Sequence, residues 1–199
     1  MSKYFKHFKS KTKDQSCNLL LYFKGLFQGN KRNVERMNES VIESDYNALQ
    51  HFISEAPWDS RDVMNQVSQE VNSLLQAEKM PIGFIIDESS YAKKGDKTVG
   101  VSRQYCGTKG KVDNCQVAVY GAYSTDKYYG LVDSSLFLPE VWTKDIKRCK
   151  KAGIPEEYIV FKSKPQLALD MIKRQLALGN KMDYVGGDGL YGNDYSLMD

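Results

Sequence analysis

The spacing of apolar positions changes near residue 79. Up to about Glu78 the period is helical: Tyr46, Leu49, Phe52 and Ile53 fall on one side of a helix that Ser44 can cap, and Pro57-Trp58 breaks it. Behind Ser60, which can cap a second helix, Val63, Val67, Val71, Leu74 and Leu75 repeat at the same spacing. Both stripes read as core. From Met80 the pattern shortens. Residues 82–87 form a β-branched apolar run without helical period, which predicts a buried strand. Residues 115–123 and 128–137 predict two more, joined by Ser124-Thr125-Asp126-Lys127, a connection short enough for a hairpin. Three consecutive antiparallel strands result. Residues 139–152 predict a helix with Val141, Trp142, Ile146 and Cys149 available for burial and Gly153 ending it. After a short apolar run at 158–161, Pro165 opens another helix that runs to Leu178 and is closed by Gly179-Asn180. Residues 184–187 form the last strand. A strand that follows a crossover helix lies parallel to an earlier one, by a right-handed connection.

This order is that of an α/β chain with a ribonuclease-H-like mixed sheet (three antiparallel strands, helix, parallel strand), preceded by a helical N-terminal unit. The expected division is a helical region over 1–79 and a sheet domain over 80–199. Two of the apolar runs end in an acid, the first at Asp87 and the last at Asp188. With the last strand beside the first, both carboxylates come to neighbouring carboxyl ends of parallel strands, the edge where α/β sheets gather ligands.

Composition narrows the chemistry. A net charge of +3 and a pI near 8.5 are only mildly basic and do not by themselves establish a nucleic-acid partner. The distribution is uneven. Nine Lys/Arg (Lys3, Lys6, Lys9, Lys11, Lys13, Lys24, Lys31, Arg32, Arg36) stand in the first 36 residues against Asp14 and Glu35. Such an arm reads equally as a solvated, partly frayed tail or as a phosphate contact. Four cysteines without a Cys-x-x-Cys spacing, and only His7 and His51, argue against a structural zinc site. No signal-peptide pattern is present, so a reduced, cytoplasmic setting is expected. The apolar stretch at 19–23 is interrupted by Lys24 and is too short to span a bilayer, so no membrane role is expected.

Two carboxylates at strand ends suit a divalent metal. Magnesium prefers hard oxygen ligands and keeps several waters, so Asp87 and Asp188 together with substrate phosphate oxygens suffice to hold it. Two such ions about 3.5 to 4 Å apart can activate a water or hydroxyl and stabilise the leaving oxygen at phosphorus. Taken singly, each Asp reads as an ordinary strand-end turn residue. A rival reading comes from Gly187-Asp188-Gly189-Leu190-Tyr191-Gly192, which fits the G-x-G-x-x-G of a dinucleotide-binding turn. That fingerprint normally opens a βαβ unit with an acid roughly 20 positions later, and the glycines serve equally to make a tight turn that exposes Asp188. Between the first two strands, a turn-rich connection carries Lys93, Lys94, Lys97, Arg103, Lys109 and Lys111 against Asp96 and Asp113. It reads as a solvated excursion or as a clamp on a polyanionic backbone. Within it, Arg103 can fork onto phosphate, Gln104 can read base edges and Tyr105 can stack.

Three stretches carry a closer likeness: Asp87-Glu88-Ser89-Ser90-Tyr91-Ala92-Lys93-Lys94-Gly95, Gly100-Val101-Ser102-Arg103-Gln104-Tyr105-Cys106-Gly107-Thr108 and Gly110-Lys111-Val112-Asp113-Asn114-Cys115-Gln116. With Leu138-Pro139-Glu140-Val141-Trp142, Phe161-Lys162-Ser163-Lys164-Pro165, the glycine turn at Asp188 and the N-terminal Leu49-Gln50-His51-Phe52-Ile53-Ser54-Glu55-Ala56-Pro57-Trp58, the chain resembles the bacterial insertion-sequence DDE transposases of the seven-oh-one branch. The resemblance covers nearly the whole chain but only the front part of such a transposase. It implies a ribonuclease-H-like catalytic domain that uses Asp-Asp-Glu and Mg2+ (or Mn2+) to cut transposon ends and join them to target DNA. By position Asp87 is the first acid and Asp188 the second. Lys93, Lys94, Arg103, Gln104 and Lys111 are then the candidate DNA contacts, and region 1–79 a candidate for binding the element's ends.

In the family the third acid is a Glu on a later helix. Glu88 points to the opposite side of its strand from Asp87, and Asp194 and Asp199 lie too close to the second acid to replace it. The expectation is therefore a truncated copy with an incomplete metal site, a transposase by descent whose own enzymatic activity is in doubt. The alternative is a catalytically silent DNA-binding or interfering fragment. A nucleotide-binding enzyme built on the glycine turn is a third reading. The loss of a covering helix would leave apolar sheet surface open, from which low solubility or self-association is expected.

Overall fold

The computed structural model describes residues 1–197. Asp199, set aside above as a third acid, lies outside the described residues. The chain divides into two compact units, Met1–Val63 and Met64–Asp199.

In the first unit a 3-10 helix over Ser2–Phe8 precedes α1 (Ser16–Gln28), α2 (Val34–Ser40) and α3 (Tyr46–Ser54). Aromatic packing holds it together: Phe8, Leu19 and Phe52 are buried, and Trp58 stacks on Phe52 with ring centroids 5.7 Å apart. The basic arm is therefore not a frayed tail. Phe8 anchors it, and its carbonyl accepts the Gln15 N–H at 2.8 Å, while Lys3, Lys6, Lys9, Lys11 and Lys13 stay at the surface. Ser44 does not cap α3; its hydroxyl donates to the Val41 carbonyl at 2.7 Å. Asp45 caps instead, accepting the Ala48 N–H at 2.8 Å, where a charged acceptor also complements the helix dipole. Only Leu49 and Phe52 of α3 turn fully inward, and Tyr46 and Ile53 are exposed.

The helix α4 (Ser60–Ala77) runs into the second unit, which is built on a five-stranded sheet. Its strands are β1 (Gly83–Ala92), β2 (Ser102–Cys106), β3 (Lys111–Ser124), β4 (Tyr129–Leu136) and β5 (Tyr184–Gly186). β1 runs antiparallel along one edge of β3, from Gly83↔Ser124 to Ala92↔Cys115. β2 and β4 share the other edge, paired with the first and last parts of β3. β5 adds to the free edge of β1 in parallel, through Gly83↔Tyr184, Phe84↔Val185 and Ile85↔Gly186. The sheet is thus mostly antiparallel with one parallel pair.

Three expectations change here. The first strand does not stop at Asp87 but continues to Ala92, and much of the turn-rich connection is strand. The long β3 supplies ladder partners to both β1 and β2. Because β2 is a polar edge strand, with Ser102, Gln104 and Cys106 turned in and Arg103 and Tyr105 turned out, its sequence reads like a loop. The helix expected over 139–152 is two short ones, α5 (Glu140–Thr143) and α6 (Ile146–Lys151), because the Asp145 side chain accepts the Arg148 N–H and starts a new turn. Trp142 and Cys149 are buried, whereas Val141 and Ile146 face out. Trp142 donates its Nε1–H to the Val101 carbonyl at 2.8 Å, with the Arg148 guanidinium 3.7 Å above its ring.

The next helix, α7 (Lys164–Ala177), begins as the sequence predicts, with Pro165 in its first turn and a Ser163/Gln166 capping box. It packs on one sheet face, where Phe84, Ile86, Val119, Tyr123 and Val132 meet Leu75 of α4, Ala168 and Met171 of α7, and Tyr191. The buried side of α4 is more polar than its apolar stripe predicts. Ser68 and Asn72 are inside and Leu74 is out, because Ser68 bonds Gln175 and Asn180 while Asn72 donates to the Lys181 carbonyl at 2.7 Å. On the opposite sheet face Ile85, Tyr91, Leu131 and Tyr184 are exposed.

Candidate functional site

Asp87 stands in the middle of β1, across from Tyr120 of β3, rather than at the strand's end. The parallel ladder with β5, however, closes at Ile85↔Gly186. Carried two positions further, that register sets Asp87 level with Asp188. The two acids are therefore brought together where the short β5 leaves the edge of the long β1.

Both line a concavity of about 340 Å3, together with Glu88, Ser90, Tyr105, Thr108 and Lys164. Asp87 Oδ1 accepts the Glu88 N–H at 2.8 Å. Asp188 Oδ1 accepts the Leu190 N–H at 2.9 Å and so caps α8 (Gly189–Gly192). For each acid the second oxygen, Oδ2, makes no hydrogen bond among the described residues. Both side chains are exposed to solvent.

Glu88 is differently placed. Strand alternation turns it to the helix-covered face, where Oε1 accepts from Lys164 Nζ and Oε2 from the Tyr191 hydroxyl, each at 2.7 Å. The Glu88 and Lys164 side chains are 22% and 21% exposed, so this ion pair is sheltered. The Tyr191 hydroxyl is pushed far above its ordinary pKa by burial, then by its bond to the Glu88 carboxylate, with the charges of Asp87 and Asp188 adding. It remains a donor, and Glu88 remains its acceptor.

Among the described residues no group of three His, Cys, Asp or Glu side chains is gathered closely enough to hold a metal ion. Two exposed carboxylates, each with an oxygen to spare, nevertheless fit a magnesium-type ion, which takes one or two protein carboxylates and completes its shell with water or phosphate. The residues present are the right donor type for that ion and too hard for a thiophilic one.

The candidate DNA contacts are distributed rather than gathered. Lys93 and Lys94 are exposed just after β1, Arg103 is exposed on β2, and Lys111 is exposed at the start of β3. None of them is among the residues lining the concavity. Gln104 is half-buried, with its amide donating to the Cys115 carbonyl at 2.9 Å, which occupies the group that would read a base edge. Tyr105, on the same side of β2 as Arg103, is exposed and reaches the concavity. Sequence reasoning missed Lys164 and Tyr191. The signals for them were the lysine at the first position of a proline-started helix and the tyrosine inside the glycine turn.

Comparison with known proteins adds three findings. A family model described as DDE superfamily endonuclease matches residues 3–198. The probable transposase for insertion sequence element IS701 of Microchaete diplosiphon is 35% identical in an alignment of 157 residues that covers 76% of this chain and 37% of that protein. The chain thus spans well under half the length of this relative. No solved structure matches.

Proposed function

The chain belongs to the DDE superfamily endonuclease family, and on that premise we propose that it is a transposase chain acting on insertion-sequence ends by metal-dependent DNA cleavage and strand transfer. The observation that carries this reading is the parallel register of β1 and β5, which sets Asp87 and Asp188 abreast. In the proposal these two acids hold Mg2+ or Mn2+ through their free oxygens. The ion would supply Lewis-acid stabilisation of charge at phosphorus and a nucleophile at neutral pH. The sheet is of the ribonuclease-H type, with the catalytic region over 80–199 and DNA-end binding by the helical region 1–79. Lys93, Lys94, Arg103 and Lys111 contact the DNA backbone as point charges or forks. The exposed apolar residues of the open sheet face support self-association as part of the same reading.

A second reading is favoured by the state of Glu88: the third carboxylate lining the concavity is engaged by Lys164 and the Tyr191 hydroxyl. In that reading the chain binds DNA without cutting it. One experiment separates the two. Purified chain is incubated with duplex DNA carrying terminal-repeat ends and Mg2+. Nicked or joined strands that disappear in Asp87→Ala support the first reading, salt-sensitive binding without nicking supports the second, and neither overturns both.

A further inference from the structure

We propose that Glu88 is a positioning residue, whose carboxylate, held between Lys164 and Tyr191, fixes Asp188 beside Asp87 and is not itself a metal ligand. The inference rests on the reading of Asp87 and Asp188 as the metal-binding pair.

The case begins with how little else holds Asp188. It caps a helix of four residues, far shorter than a helix that persists unaided. The strand leading to it, β5, is three residues long, lies at the sheet edge and pairs through three positions only. The segment needs an anchor. Tyr191, three residues after Asp188, provides it: the side chain is 3% exposed within the main core, and its Cβ lies so near Gly187 that a methyl there would stand 3.1 Å away. The Tyr191 hydroxyl then ends on Glu88, the immediate neighbour of Asp87. One hydrogen bond thereby links the residue next to the first acid with the helix that the second acid caps. Lys164 holds the remaining Glu88 oxygen from the first turn of α7, so both carboxylate oxygens already have partners on the helix-covered side, whereas Asp87 and Asp188 each keep one oxygen without any. Groups that orient metal-binding side chains in this way commonly change metal affinity by about 10- to 100-fold when removed.

The test uses the whole chain and the variants Tyr191→Phe, Glu88→Gln, the double variant and Asp87→Ala, with two readouts. Amide hydrogen exchange at residues 189–192 reports how firmly the Asp188 segment is held, and Mn2+ titration by the electron spin resonance of free Mn2+ reports the pair as a site. The expected result is faster exchange and Mn2+ binding weakened about tenfold or more in Tyr191→Phe. Glu88→Gln keeps an amide oxygen for the Tyr191 hydroxyl and loses the Lys164 ion pair, so its effect is expected to be smaller than that of Tyr191→Phe, with the double variant little worse than Tyr191→Phe alone. Unchanged exchange in Tyr191→Phe would overturn the proposal. So would Mn2+ affinity that is lost in Glu88→Gln as fully as in Asp87→Ala but kept or improved in Tyr191→Phe, because that pattern makes Glu88 a ligand. Faster exchange in a chain whose unsubstituted form takes up no Mn2+ would leave the positioning role standing and remove the metal reading beneath it.

Discussion

Asp133 and Arg174 form an ion pair at 2.9 Å in which the carboxylate is fully buried and the guanidinium largely so. The same Asp133 oxygen accepts the Gln175 amide at 2.9 Å, and Gln175 in turn accepts from Ser68, Tyr123 and Asn180. This network ties β3 and β4 to α4 and α7 beneath the sheet that carries Asp87. Asp133→Ala leaves a positive charge and an amide without their acceptor, which is expected to cost about 3 kcal/mol, the lower end for a broken buried pair because Arg174 keeps some solvent. Asp133→Asn retains an acceptor oxygen and is expected to cost less, about 1 to 2 kcal/mol. Urea melts check both: the midpoint should drop in that order with an unchanged slope.

Much of the scaffold around that network was legible in the sequence, and the reasons differ by element. The start of α7 was readable because Ser163, Pro165 and Gln166 are local signals acting within one turn. The parallel placement of β5 followed from the crossover rule. β2 was invisible because an edge strand with alternating Ser, Arg, Gln and Tyr has no apolar run, and its existence depends on β3 being long enough to pair with it. The split between α5 and α6 turned on one Asp145 cap that also reads as a surface residue. The closeness of Asp87 and Asp188 was legible, since each follows an apolar run and the crossover rule sets their strands side by side. The bonding of Glu88 was not, because Lys164 and Tyr191 lie 76 and 103 residues away in sequence.

Close backbone approach makes Gly121 intolerant of any side chain. A Cβ there would overlap the Phe84 ring, which is fully buried against the same face. Gly121→Ala is expected to destabilise the second unit by about 1 to 3 kcal/mol through overpacking. Gly192 meets nothing within 4 Å, so Gly192→Ala is expected to stay within about 0.5 kcal/mol of the parent. Thermal melts of the two variants side by side measure the contrast, and equal shifts would remove the packing explanation.

Burial pushes the Tyr123 hydroxyl up to about 12, with the nearby Asp133 charge adding and the Asn180 and Ser68 bonds opposing. An unfolded tyrosine loses its proton near pH 10. Between about pH 10 and 12 the folded chain therefore holds a proton that the unfolded chain has released, and stability falls as pH rises through that window. Below pH 10 the group contributes no slope. Urea midpoints at pH 9, 10, 11 and 11.5 should show a steeper decline in the parent than in Tyr123→Phe. Parallel declines would mean that Tyr123 titrates as it does in water.

Charge placement on the β1–β3 connection gives a prediction about DNA that separates structural from contact residues. Lys93, Lys94, Arg103 and Lys111 are exposed, whereas the Gln104 amide is committed to the Cys115 carbonyl. Each phosphate contact that is lost lowers the slope of log affinity against log salt by about 0.9, because fewer counterions are released on binding. Lys93→Ala/Lys94→Ala is therefore expected to flatten the salt dependence by about 1 to 2 units and to weaken binding similarly on all duplexes. Gln104→Ala is expected to leave the slope alone and to lower the melting temperature instead, since it removes a bond between β2 and β3. Fluorescence anisotropy over a salt series, beside a melt of each variant, distinguishes the outcomes. A Gln104→Ala chain that melts normally but loses preference among duplexes would make Gln104 a base reader after all, and an unchanged slope in the double lysine variant would move the DNA surface away from the end of β1.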